Sequence, residues 1–280
     1  MYWKETSNVS VDTLIATIQT EMISTGGWSC PDAGYAVIRN PTSKFDIFMF
    51  LDALGTKRWI QFQVGTWDTA GHTMPNPKLN TGHLIRNSAS SVAGDELGDF
   101  KLSYDDTYVV IFTDYRSVGY NAALNFTGLL EPFNEDDECL ICADTTYRGT
   151  PLPTNDNNNS FQFTMLKDLS GTPNKPGYGL CYIAQSITLS SGVPRGLTYS
   201  AKPDKRFMCP LWASSSPVIA GSENAGIRAR FPDVLMMGYL EDIESHGTTV
   251  TDGVRTWMRI NADVSTQYYH LSVRNWVRTE

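Results

Sequence analysis

The sequence predicts a mainly β, α+β-class fold: antiparallel, sandwich-like sheets with one N-terminal amphipathic helix and long loops. Three observations predict it. Apolar residues recur at period two through Phe45, Ile47, Met49 and Leu51 and again through Ile60, Phe62 and Val64, the spacing that lines one face of a sheet. A helical stripe is confined to residues 10–25. Clusters of Gly, Ser, Thr, Asn and Pro then punctuate the chain at short intervals, as turns between strands do.

The helix comes first. Val11, Leu14, Ile15, Ile18 and Met22 form one apolar stripe, Ser10 suits the N-cap, Asp12 the positive end of the dipole, and Gly26-Gly27 the left-handed stop. A β-meander follows: Tyr35 to Arg39, a turn at Asn40 to Ser43, Phe45 to Leu51, a turn at Gly55-Thr56, and Trp59 to Val64. From Gly65 to about Phe100 the pattern gives way to long surface loops. Thr107 to Thr113 is continuously apolar, which predicts a central strand buried on both faces. Leu124 to Phe133 reads as a strand leaving through a proline-forced turn. Glu135 to Glu138 and Asn155 to Asn159 read as solvated loops, and Phe161 to Met165, Tyr178 to Leu189, Ile227 to Phe231, Val234 to Leu240, Val254 to Ala262 and Tyr268 to Asn275 as strands. Two regions are expected, 1–100 with the helix, meander and long loop and 101–280 with a sandwich-like body, or else one continuous domain with the helix laid across it.

Composition excludes some functions. The 280 residues are 41% hydrophobic and 19% charged, ample for a core. A formal charge of −8 opposes binding to phosphate backbones and anionic membranes, so neither nucleic acid nor membrane is an expected partner. No secretory leader pattern opens the chain and no apolar run nears about 18 residues, which predicts a soluble protein made in the cytoplasm. Five cysteines at irregular spacing argue against a disulfide framework. Cys139 and Cys142 have CxxC spacing, but they sit in an apolar run that reads as strand, and no second ligand pair accompanies them.

Chemistry-bearing motifs are missing elsewhere too. His72, His83, His246 and His270 make no HxH or HxxxH pair, although His72 and His83 share the loop region. No GxSxG elbow, GxGxxG or Walker loop occurs. Carboxylate pairs drawn from Asp114, Asp144, Glu241 or Asp242 carry no specificity among thirty acidic residues. No catalytic, cofactor-binding or metal-binding residue is therefore assigned, and no cofactor is expected. Trp59 and Trp257 fall within strand patterns and read as core, whereas Trp67 and Trp212 stand in loop-like contexts and are the candidates for a surface that binds glycan or another subunit.

Tyr2-Trp3-Lys4 ahead of the stripe Val11 to Met22, Gly27-Trp28, and the strand Trp59 to Gly65 resemble the start of a family of virion structural proteins of tailed bacteriophages. The middle block Tyr108 to Pro132 and the closing block Leu235 to Trp276, with its Gly247-Thr248-Thr249 turn, follow in the order that family would show. Its middle block ends in Gly, two apolar residues and Pro, which Gly128 to Pro132 match with Glu131 inserted. After Phe133 an acidic run replaces a Pro- and Tyr-rich loop, so contacts made by that loop do not carry over. The resemblance implies a tail, baseplate or fibre-attachment component rather than an enzyme, located in the virion, with further copies of itself and other virion proteins as partners. Alternatives are a tail-tip module that binds a receptor or host-surface glycan, a head or neck decoration protein, and, with least support, a polymer-degrading tail enzyme.

Overall fold

The structure is a computed structural model describing the backbone of residues 1–54, 57–75, 77, 83–84, 96–115, 117, 122–132, 139–144, 161–165, 180–184, 208–215, 226–237, 247–260 and 275–280. Within that set it describes the backbone alone for residues 52–54, 57–59, 83–84, 123, 139, 141, 143–144, 161–165, 180–184, 208–215, 226–228, 234–237 and 275. The elements are β1 (Tyr2–Ser10), α1 (Val11–Thr25), β2 (Val37–Arg39), β3 (Asp46–Leu54), β4 (Lys57–Gly65), β5 (His83–Leu84), β6 (Leu97–Tyr104), β7 (Tyr108–Asp114) and β8 (Ala122–Leu129), followed by β9 (Glu131–Pro132), β10 (Cys139–Asp144), β11 (Phe161–Met165), β12 (Leu180–Ala184), β13 (Met208–Ser215), β14 (Gly226–Met237), β15 (Thr249–Thr251), β16 (Thr256–Ile260) and β17 (Asn275–Arg278). The expected mainly β architecture with one helix is what the described residues form. The chain divides into two compact units, Met1–Leu129 with Leu140–Thr154, and Leu130–Cys139 with Asn155–Glu280.

In the first unit α1 begins where the stripe predicts. The Ser10 hydroxyl accepts a hydrogen bond from the Thr13 backbone N–H at 3.3 Å, satisfying one orphan donor of the first turn. Val11, Leu14, Ile18 and Met22 are buried, at about 1.5–3 kcal/mol for each large apolar side chain removed from water. The stop is shared by two glycines. Gly26 (φ −97°) donates its N–H to Met22 O, while Gly27 takes the left-handed conformation (φ 71°).

The helix touches β1 and β6 of one antiparallel sheet and β2 of another. The first sheet runs in the order β1-β6-β7-β8-β10, the second β2-β3-β4-β5. β7 is buried on both faces through Tyr108 to Thr113, as its unbroken apolar run predicts. Two bonds fasten the turn after β6 to the second sheet's loops: Trp28 Nε1 donates to Asp105 O at 2.8 Å and Asn40 Nδ2 to Asp106 O at 3.2 Å.

Several expectations change. The boundary expected near residue 100 would fall inside β6, which pairs with β1 on one side and β7 on the other, so 1–100 is not a unit by itself. β1 and β6 were not expected as strands, and β6 begins inside the stretch read as loop. Ile227 to Phe231 and Val234 to Leu240, expected as two strands, fall on one strand, Gly226–Met237, with residues 238–240 outside the described residues. That strand bends at Pro232-Asp233, where Asp233 has φ 52° and accepts a hydrogen bond from Arg278 Nη1 at 3.2 Å. The loops at 135–138 and 155–159 and most of the strand expected at Tyr268 to Asn275 lie outside the described residues.

The second unit is an antiparallel sheet ordered β11-β12-β13-β14-β17-β16-β15, with β9 paired to β14 beside it. Arg259 stands opposite Trp276 in the register of β16 and β17, and its guanidinium lies 6.0 Å from the indole centroid, a cation–π contact in a fully buried setting. Trp257, expected as core from its strand pattern, is buried beside Trp276.

Candidate functional site

A polar and aromatic constellation of Asp32, Tyr35, Trp67 and His72 lies at one end of the second sheet of the first unit. Two loops build it. The segment before β2 is shaped by a turn in which Tyr35 N–H donates to Asp32 O at 3.2 Å, with Gly34 at φ 96°, a conformation that costs glycine little. Gln19 of α1 clamps this segment: its amide Nε2 donates to Tyr35 O at 2.9 Å and to Val37 O at 3.2 Å. The Cys30 thiol donates to Asp32 O at 3.2 Å.

The segment after β4 is a small closed loop. Asp68 and Thr73 exchange backbone hydrogen bonds of 2.8 and 3.2 Å, the Asp68 carboxylate accepts Ala70 N–H at 3.0 Å, and His72 adopts φ 50°. Arg39 and Asp46 anchor the start of the loop. The guanidinium donates to both carboxylate oxygens at 2.7 and 3.0 Å, and the same carboxylate accepts Trp67 N–H at 2.8 Å. Asp46 is buried, so this fork-to-fork pairing supplies partners to a charge that would otherwise be costly to desolvate; the bond to Asp46 also raises the Arg39 pKa above its ordinary value.

These loops bring three side chains onto one carboxylate and its surroundings. Asp32 Oδ2 accepts Trp67 Nε1–H at 2.9 Å and lies 2.7 Å from His72 Nδ1. The His72 bond, then the Trp67 bond, hold the Asp32 carboxyl below the ordinary carboxylate range. An ionised carboxylate only accepts, so the His72 ring donates to it from Nδ1. Tyr35 stacks on His72 with centroids 4.9 Å apart at 12° and leans on Trp67 at 5.6 Å. The arrangement presents two exposed rings beside a fixed negative charge. It can stack against a flat apolar face and accept hydrogen bonds from hydroxyls or amides.

Trp67, a sequence candidate for a binding surface, is placed here but does not offer its ring to solvent. It is 4% exposed, packed with Val37, Met74 and Phe48, because a loop tied at both ends folds the indole inward where Asp32 accepts its N–H. Trp212 is not in a loop. It lies in β13, paired with Ala184 of β12 and Arg230 of β14, and its side chain is outside the described set. The two candidates fall in different units. His72 meets Asp32, while the side chain of His83 and all of His246 and His270 lie outside the described residues.

The CxxC pair lies in β10, as its apolar setting predicts. The side chain of Cys139 lies outside the described residues. Cys142 is buried against Thr127, its sulfur 3.2 Å from the Thr127 hydroxyl. Among the described residues there is no group of three or more His, Cys, Asp or Glu placed to hold a metal ion, and no helix is long and apolar enough to cross a membrane.

Sequence reasoning missed Asp32, Tyr35 and His72 as a group. Asp32 and His72 are 40 residues apart, and no local pattern marks either. Comparison with protein-family models and with curated proteins returns no match for this sequence.

Proposed function

We propose that the chain is a non-catalytic structural component of a tailed-phage virion, of the tail, baseplate or fibre-attachment type, present in several copies. The family resemblance of the blocks at Tyr2 to Gly65, Tyr108 to Pro132 and Leu235 to Trp276 motivates the reading. The structural observation that supports it is β1, a nine-residue strand with mostly exposed side chains and one strand neighbour among the described residues, β6. Parts of a symmetric particle gain affinity by repeating modest contacts over extended surfaces, and the exposed side chains of a long strand contribute to such a surface. The partners are other copies and other virion proteins, and the location is the particle. Immunogold electron microscopy of purified phage, with an antibody raised against the recombinant chain, tests this. Distal-tail label is expected; head or neck label would make the chain a decoration or connector protein, and no label on intact or disrupted particles would reject a virion role.

A second reading, attachment to a host-surface glycan, is favoured by one observation: Tyr35 and His72 present exposed rings beside the Asp32 carboxylate, and sugar rings stack on such faces. Saturable binding to host envelopes that falls in Tyr35→Ala and His72→Ala variants is the expected result; unchanged binding in both would remove the reading.

A further inference from the structure

We propose that the surface formed by Asp32, Tyr35 and His72 selects sugars that carry no acidic group: it takes a neutral hexose or N-acetylhexosamine ring on the His72 imidazole and rejects uronic acids and other anionic sugars. This rests on the glycan reading of that surface and names its substrate class.

The stacking surface is built before any ligand arrives. His72 is held at one ring edge by the 2.7 Å contact of Nδ1 with Asp32 and over one face by Tyr35, with centroids 4.9 Å apart and 12° from parallel. Tyr35 is itself flanked by Trp67, and Gln19 fastens its carbonyl to α1. Even so, the His72 side chain remains 52% exposed. A ring fixed in this way loses little freedom when a sugar stacks on it, which lets a modest contact contribute to affinity.

Asp32 combines burial with an unused acceptor. Its side chain is only 10% exposed, and both of its side-chain hydrogen bonds end on Oδ2. Oδ1 is therefore free to accept from a sugar hydroxyl or an acetamido N–H, the donors that a neutral sugar offers.

Charge sets the selection. Neither loop, 29–36 or 66–75, contains a Lys or Arg, and Arg39 of β2 is committed to both oxygens of Asp46. Asp68 adds a second carboxylate in the loop that carries His72. It is exposed, and its Oδ2 lies 2.7 Å from where a Cβ on Gly71 would stand, beside the residue that precedes His72. Two carboxylates outnumber the one imidazole whatever charge that ring carries. An acidic group on a stacked sugar comes within roughly 4–7 Å of Asp32, a separation at which like charges still repel through solvent and salt. A neutral ring meets no such opposition.

The test uses the full chain and two trisaccharides, an N-acetylglucosamine trimer and a galacturonate trimer, each titrated by NMR at low ionic strength. The neutral trimer is expected to bind at least about fivefold more tightly, and the ratio should narrow when salt is added, in Asp32→Asn and in Asp68→Asn. Asp32→Asn also touches the bonds to Trp67 and His72, so Asp68→Asn, at an exposed side chain, reports the effect of charge with the stacking surface intact. Galacturonate binding as tightly as the neutral trimer, or a ratio that neither substitution narrows, overturns the proposal. Equal binding of both trimers that falls in Tyr35→Ala removes the selection and leaves the glycan reading standing, whereas binding of neither trimer removes both.

Discussion

Asp32 accepts two side-chain hydrogen bonds on one oxygen, from Trp67 Nε1 at 2.9 Å and His72 Nδ1 at 2.7 Å, and so ties the loop before β2 to the loop after β4. Its carboxyl is held below the ordinary value of 3.8, which fixes the sign of a pH effect. A depressed carboxylate adds stability that is fully present above the unfolded-state pKa and is lost as pH falls through the lower folded-state value. Melting temperature should therefore drop on acidification below about pH 4, and Asp32→Asn should shallow that drop. An unchanged acid limb in the variant would show that the carboxylate contributes nothing in this window. Asp252, lowered chiefly by the Arg255 and Val254 backbone N–H groups, has the same sign, so some acid dependence remains after Asp32→Asn.

Trp67 and Tyr35 touch, yet they should respond differently to truncation. Trp67 is buried with a satisfied indole N–H, so Trp67→Ala creates a cavity and should cost about 3–5 kcal/mol. Tyr35 is 37% exposed, and Tyr35→Ala should cost less than half as much. Urea midpoints of the two variants check this; similar losses would mean that the loops share the load evenly. Tyr35→Ala is for the same reason the better probe of glycan binding, because lost binding in Trp67→Ala would confound a missing contact with a disturbed loop.

Those two residues also mark what the sequence made legible. α1 was readable because its stripe Val11, Leu14, Ile18 and Met22 spells the helical period with a capping Ser10 in front, and β7 because Tyr108 to Phe112 is an unbroken apolar run of strand length. β1 was not readable: Lys4-Glu5-Thr6-Ser7-Asn8 places polar residues on both faces, and what makes it a strand is backbone pairing to β6, which leaves no hydrophobic alternation. Trp67 looked exposed because Gly65, Thr66 and Asp68 around it have loop character. Its burial comes from Asp32, Tyr35 and Val37, which are distant in sequence, and the whole site shares that origin.

Asn40 is 1% exposed, and its side chain organises the turn between β2 and β3. Oδ1 accepts Lys44 N–H at 2.8 Å and Phe45 N–H at 3.0 Å, while Nδ2 donates to Thr42 Oγ1 and to Asp106 O. Replacing it with alanine strands buried backbone groups at once, so Asn40→Ala should destabilise by about 1–3 kcal/mol. Thr42→Ala, which removes only one exposed hydroxyl partner, should cost less. Equal effects in chemical denaturation would mean that Thr42, rather than the backbone contacts, carries the turn.

Gly128 is the position where a single methyl group should do most harm. It lies in β8 directly opposite Tyr108 of β7 with φ +145°, and a Cβ there would stand 2.4 Å from Tyr108 Cα and 2.5 Å from Thr107 O. Both obstacles are backbone atoms at the start of a strand buried on both faces, so neither can swing aside. Strained φ and overpacking act together, and Gly128→Ala should cost about 3 kcal/mol or more. Gly34→Ala separates the two causes, since Gly34 also has positive φ (+96°) but a methyl group there would meet nothing within 4 Å; it should lose only the conformational part. Comparable denaturation midpoints for the two variants would mean that β7 and β8 can part without penalty, contrary to the close approach that glycine permits there.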